Sequence, residues 1–137
     1  MINLILWAFL AVFLLATSLI PGLAPAGTNS SQNSMGLTIA QLGTGLAWLA
    51  FLIYSIRCSM KESLVKTMKR MAGTYWGRQI GLDLYIGLIM FSAMVFAVEG
   101  SLWIGLLWLI PTLIYGNLVP LFYLATRLPQ IVELIQI

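Results

Sequence analysis

Four runs of apolar residues, each long enough to cross a bilayer, leave this chain little choice of solvent. A hydrocarbon core of about 30 Å takes about 20 residues of helix, and runs of that order occupy about residues 2–23, 37–56, 79–98 and 102–126. Inside lipid every backbone N–H and C=O needs a partner within the protein, which a run of this length finds as a helix. Of the 137 residues, 61% are hydrophobic and 8% charged, against roughly 25% charged in a soluble domain. The expectation is an all-α integral membrane protein, with four transmembrane helices in one bundle and a single domain over residues 1–137.

The first run ends in Leu-Ala-Pro-Ala-Gly, which resembles the cleavage site of a secretory signal. Such signals place positive charge before their apolar core, and no Lys or Arg precedes Arg57, so a spanning helix broken near Pro21 and Gly22 is expected instead. Residues 24–36 are rich in Gly, Ser, Asn and Pro and uncharged, and read as an aqueous loop. Asn29 opens a glycosylation sequon there, with a polar turn as the plainer reading. Pro111 and Gly116 are expected to bend or loosen the fourth run, and the tail 129–137 to restart as a short apolar helix after Pro129.

The formal net charge of +3 hides a concentrated distribution: Arg57, Lys61, Lys66, Lys69, Arg70 and Arg78 fall in one window and only Arg127 lies elsewhere. No globular module surrounds the window, so nucleic acid is not the expected partner. Orientation, or contact with lipid headgroups, is. Leu64, Met68 and Met71 recur at helical spacing between the lysines, the pattern of an amphipathic helix lying on the membrane within a basic loop over 57–78. Lys and Arg prefer the cytoplasmic side. Four spans then put the N- and C-termini both in the cytoplasm, with Arg127 in agreement. Trp7, Tyr54, Tyr75, Trp76, Trp103 and Tyr123 fall near span ends, where interfacial aromatics belong.

Small residues mark expected helix-packing positions, since they let two backbones approach closely. Gly36, Ala40, Gly43 and Ala47 recur at spacings of three and four in the second run, and Gly81 and Gly87 punctuate the third.

Asp83 is the sharpest chemical candidate, because a carboxylate in a spanning segment is by default a functional hypothesis. It lies only about 6 Å inside the cytoplasmic end of the third run, where the dipole at a helix N-terminus offsets part of its cost. Asp83, Asn117, Tyr123 and Arg127 are expected to form an interhelical polar cluster, for which fastening of helices, proton or substrate handling and partner contact all remain open. Gln41 and Thr44 form a second polar spot; with Glu99 they suggest a vestibule, or else Gln41 bonds a neighbouring backbone. Glu62, Glu99 and Glu133 are expected to be solvated.

Catalytic and metal sets are missing from the sequence. There is no histidine, one cysteine (Cys58) and no grouping of the seven methionines, which leaves no Ser/His/Asp triad and no thiolate or soft copper site. Cys58 reads as a small packing residue rather than an acylation site. No catalytic residue, metal ligand or cofactor is expected, and a bound lipid, quinone or pigment has no residue signal in its favour.

In its second half the chain resembles a family of small uncharacterised bacterial multi-pass membrane proteins. The resemblance rests on Trp76, Gly77 and Arg78, on Asp83, Tyr85, Gly87 and Leu88, and on Gly116 with Asn117. It implies a bacterial inner or internal membrane and no activity. Two functions are carried forward: a non-catalytic accessory subunit of a larger integral-membrane complex, supporting assembly by helix packing beside other membrane subunits and lipid; and a small homo-oligomeric transporter using Asp83 in a proton- or cation-coupled path.

Overall fold

The computed structural model describes residues 2–20 and 35–135, and in these the chain forms six α-helices and no strand: α1 (Ile2–Leu19), α2 (Met35–Lys61), α3 (Leu64–Ala72), α4 (Tyr75–Glu99), α5 (Leu102–Tyr115) and α6 (Leu118–Ile135). Four of them, α1, α2, α4 and α6, are long and apolar enough to cross a membrane. The expected break at Pro21 and Gly22, the sequon at Asn29 and the loop up to residue 34 lie outside the described residues.

Each of the four long helices turns one seam inward. In α1 the seam is Asn3, Trp7, Leu10, Phe13 and Thr17; in α2 it is Gln41, Thr44, Trp48, Leu52 and Ser59. In α4 it starts only at Leu88 and continues through Ser92 and Val95, while α6 contributes Val119, Tyr123, Arg127 and Ile131. Steps of three and four residues keep such positions on one helical face. The core they enclose is aromatic. Trp108 on α5 stands edge-on to Phe13 and Tyr123, with centroids 5.2 and 4.9 Å away, and Phe91 meets Tyr123 edge-on at 5.6 Å. Such pairs add about 0.5–1.5 kcal/mol beyond the area they bury. The outward faces carry large apolar side chains in quantity, Leu4, Leu46 and Met90 among them, which suits a bilayer and not water.

The fourth run is the main departure from expectation. Residues 102–126 do not form one span. The helix stops at Gly116, whose φ of 57° and ψ of −136° are open only to glycine, and α6 starts afresh behind Asn117, whose carbonyl accepts from the Leu121 N–H at 3.1 Å. Pro120 falls in the first turn of α6, where its missing N–H costs nothing. The chain reverses here, and α5 with α6 makes a helical hairpin: Trp108 on one arm packs on Phe122 and Tyr123 of the other. At 1.5 Å per residue α5 is about 21 Å long, short of a bilayer core. Pro129 starts no new helix; it sits inside α6.

The hairpin changes which ends meet. Asn3 donates to the Ser59 carbonyl at 2.8 Å and the Trp7 indole donates to Ser59 Oγ at 2.9 Å, so the start of α1 sits at the end of α2. At the other end of α2, Gln41 donates to the Ala125 carbonyl at 3.5 Å. Gln41 and Ser59 are about 27 Å apart along the helix. The two described ends of the chain therefore lie at opposite ends of the bundle, and Arg127 lies far from the basic stretch.

Small residues work where backbones do cross. A Cβ on Gly105 would fall 2.2 Å from the Phe96 ring, and one on Gly77 would fall 2.0 Å from the Met71 carbonyl oxygen, inside the α3–α4 turn. The expected packing glycines Gly36, Gly43, Gly81 and Gly87 have nothing within 4 Å of such a Cβ; with exposed Ala40 and Ala47, the α2 set faces away from the bundle. Gly105→Ala is expected to destabilise by about 1–3 kcal/mol through overpacking, read as a lower melting temperature in mild detergent. Gly43→Ala leaves melting unchanged or slightly raised.

Candidate functional site

The buried charges of the described residues, Glu99 and Arg127, meet at the C-terminal end of α4. Leu88, Ser92, Val95 and Glu99 share one face of that helix, so the carboxylate points inward one residue before the chain turns at Gly100. Tyr123 and Arg127 sit one turn apart on the inward face of α6. Glu99 Oε1 accepts from the Tyr123 hydroxyl at 3.0 Å and lies 3.6 Å from Arg127 Nε. Arg127 also donates through Nη1 to Gln130 Oε1 at 2.9 Å. The Arg127 and Glu99 side chains are 4% and 6% exposed and Tyr123 is fully buried.

Gln41 joins this layer for a backbone reason. Pro129 has no N–H, so the Ala125 carbonyl one turn earlier lacks its helical donor. Gln41 of α2 reaches across to that carbonyl. Of the two readings of Gln41, the bond to a neighbouring backbone is the one observed. Thr44 turns inward to its own helix, donating to the Ala40 carbonyl at 2.8 Å. Beside Gln41 an open groove of about 510 Å³ runs between α2 and α6, lined by Thr38, Leu42, Gly45, Trp48 and Ala125 among others.

Of the four residues expected to cluster, Tyr123 and Arg127 come together; Asp83 and Asn117 do not join them. Asp83 is exposed on α4, about 24 Å along the helix from Glu99, and five residues before the bundle-facing seam begins. Asn117 is exposed at the hairpin tip. The partner of Arg127 is Glu99, which was expected to be solvated. Its position on the 88/92/95/99 face was the available signal, and the Glu-Gly turn obscured it. Glu62 and Glu133 are exposed as expected. Tyr123, expected at an interface, is instead core.

The other expected residues are placed as follows. Arg57, Lys61, Lys66, Lys69, Arg70 and Arg78 are all exposed at the α2–α3–α4 end, with the Arg78 guanidinium 4.7 Å over the Tyr75 ring. Cys58 is exposed there rather than packed. Among the described residues no group of His, Cys, Asp and Glu is arranged to hold a metal ion.

Comparisons with protein-family models, curated proteins and solved structures return no match to this chain, so function is argued from geometry alone.

What the Glu99 site can do follows from its connectivity. Its carboxylate takes one internal hydrogen bond, from Tyr123, and one ion-pair contact, with Arg127, between nearly buried side chains, an arrangement that fastens helices and costs dearly when half is removed. Arg127→Ala strands the carboxylate and is expected to lose about 3–5 kcal/mol, while Glu99→Gln with Arg127→Met in one chain loses less than the two single changes together. Tyr123→Phe is expected to cost about 1.5–3 kcal/mol, the worth of a hydrogen bond to a charged group. Asp83→Asn leaves stability unchanged. Melting of these variants and of the Glu99→Gln and Arg127→Met single changes in one detergent checks the order.

Proposed function

We propose that this chain is a non-catalytic accessory subunit of a larger integral-membrane complex, which it supports by helix packing. The observation behind this reading is the outer face of α2. Gly36, Ala40, Gly43 and Ala47 lie on one strip, about 120° around the helix from the seam that packs on α6, with open space over Gly36 and Gly43. A strip of small residues facing out of a bundle lets a further helix approach closely. The buried charges support the same reading, because Glu99, Tyr123 and Arg127 are spent on one another.

The transporter alternative places Asp83 in a proton- or cation-coupled path of a homo-oligomer; within one chain Asp83 is exposed and lies below the bundle seam. The sequence has no histidine, and no enzymatic role or cofactor is proposed.

The basic end is read as cytoplasmic, following the preference of Lys and Arg, in a bacterial inner or internal membrane as the resemblance implies. The N-terminus then faces the cytoplasm and the fold-back carries the C-terminus to the opposite side. Reporters at the two termini are expected to signal opposite compartments; the same compartment for both contradicts this topology.

Extraction in mild detergent is expected to recover at least one companion membrane chain in fixed ratio. Gly43→Leu should lower that recovery severalfold without altering the melting of the isolated protein. A wild-type chain that purifies alone overturns the accessory reading.

A further inference from the structure

Helix α3 turns two unlike faces outward. At about 100° per residue, Leu64, Val65, Met68, Met71 and Ala72 occupy one arc about 120° wide, and Lys66, Lys69 and Arg70 lie on the opposite side. All eight are exposed although α3 packs beside the start of α4. The surroundings repeat the combination. Met60 projects at the end of α2, and Tyr75 and Trp76, 85% and 77% exposed, open α4.

Charge is equally uncompensated. The window from 57 to 78 holds six cations against one carboxylate, Glu62, and Glu62 accepts a hydrogen bond from Thr67 Oγ1 at 3.0 Å. Among the described residues none of the six cations is in a salt bridge; the ion pair present is that of Arg127 with Glu99. Bare apolar side chains alternating with bare cations suit neither water nor a hydrocarbon interior. They suit the boundary between the two, where apolar groups enter the acyl region and ammonium and guanidinium groups meet phosphates.

We propose that α3, with the adjoining ends of α2 and α4, is a docking surface for an anionic phospholipid leaflet. Leu64, Met68 and Met71 enter the acyl boundary. Lys69, on the flank of the helix, meets headgroup phosphates directly, and Lys66 and Arg70 reach them on flexible stems. Tyr75 and Trp76 set the depth, and Arg78 is held beside them by its stack on Tyr75. Asp83 then lies one to two turns further along α4. The proposal rests on the membrane placement given above but not on the accessory role, so a chain that purifies without companions leaves it standing.

The test uses the full chain in mild detergent, mixed with equal amounts of phosphatidylglycerol and phosphatidylcholine, with retained lipid counted by native mass spectrometry. The wild type is expected to retain the anionic lipid in about tenfold preference or more, and K66Q/K69Q/R70Q to fall close to parity, since each cation near an anionic surface contributes roughly fivefold. Circular dichroism reports folding; if the triple variant unfolds, K69Q alone decides, with an expected loss of severalfold. Excess inorganic phosphate should leave the ratio unchanged. The proposal is overturned by equal retention of both lipids in the wild type, by an undiminished preference in the folded variant, or by abolition of the preference with free phosphate. It is likewise overturned if an acidic companion protein, rather than lipid, is what the triple variant loses.

Discussion

The contact between Glu99 and Arg127 joins the end of α4 to the far arm of the α5–α6 hairpin. Its two groups are 28 positions apart in the chain and meet only because the chain folds back at Gly116. In an apolar setting an unpaired charge at either position costs several kcal/mol, and the hairpin is the arrangement that cancels both. Tyr123 closes the carboxylate from a third direction, and the same tyrosine forms one wall of the aromatic core. Polar fastening and aromatic packing are therefore parts of one layer.

From that layer the rest follows in sequence. Folding α6 back sets it between α2, α4 and α5, where Pro129 exposes a carbonyl for Gln41 and draws α2 onto it. The aromatic core fills the middle, with Trp108 at its centre. α1 closes the bundle on its remaining side through Asn3 and Trp7 at one end of α2, and Tyr115 reaches from the end of α5 to the Leu6 carbonyl. The first turns of α4 run past the bundle to meet α3, which leaves the cationic and apolar groups of that end free to face a membrane surface.

Much of this was legible in the residues themselves. Long apolar runs specify helices in lipid, and the amphipathic helix within the basic stretch appears as α3, because charge segregation at a period of 3.6 survives any tertiary context. What the sequence concealed has a common physical cause. The hydropathy of 102–126 stays high through the reversal, so Pro111 and Gly116 read as bends in one span, and the helix stop at Gly116 and the helix start marked by Pro120 stay hidden. Reading one span there sent Arg127 to the wrong end of the molecule and paired it with Asp83 instead of Glu99. The small-residue strip on α2 was correctly periodic, but periodicity reveals which residues share a face and not what that face meets.

The fold-back itself is therefore the claim to test, and a distance measures it directly. With Cys58 replaced by Ser, spin labels at Leu102 and Glu133, both exposed, report on the two arms of the hairpin. The hairpin predicts a separation below about 25 Å. A continuous helix through Gly116 would hold the labels about 46 Å apart at 1.5 Å per residue, and a distance near that value would contradict both the hairpin and the pairing of Glu99 with Arg127.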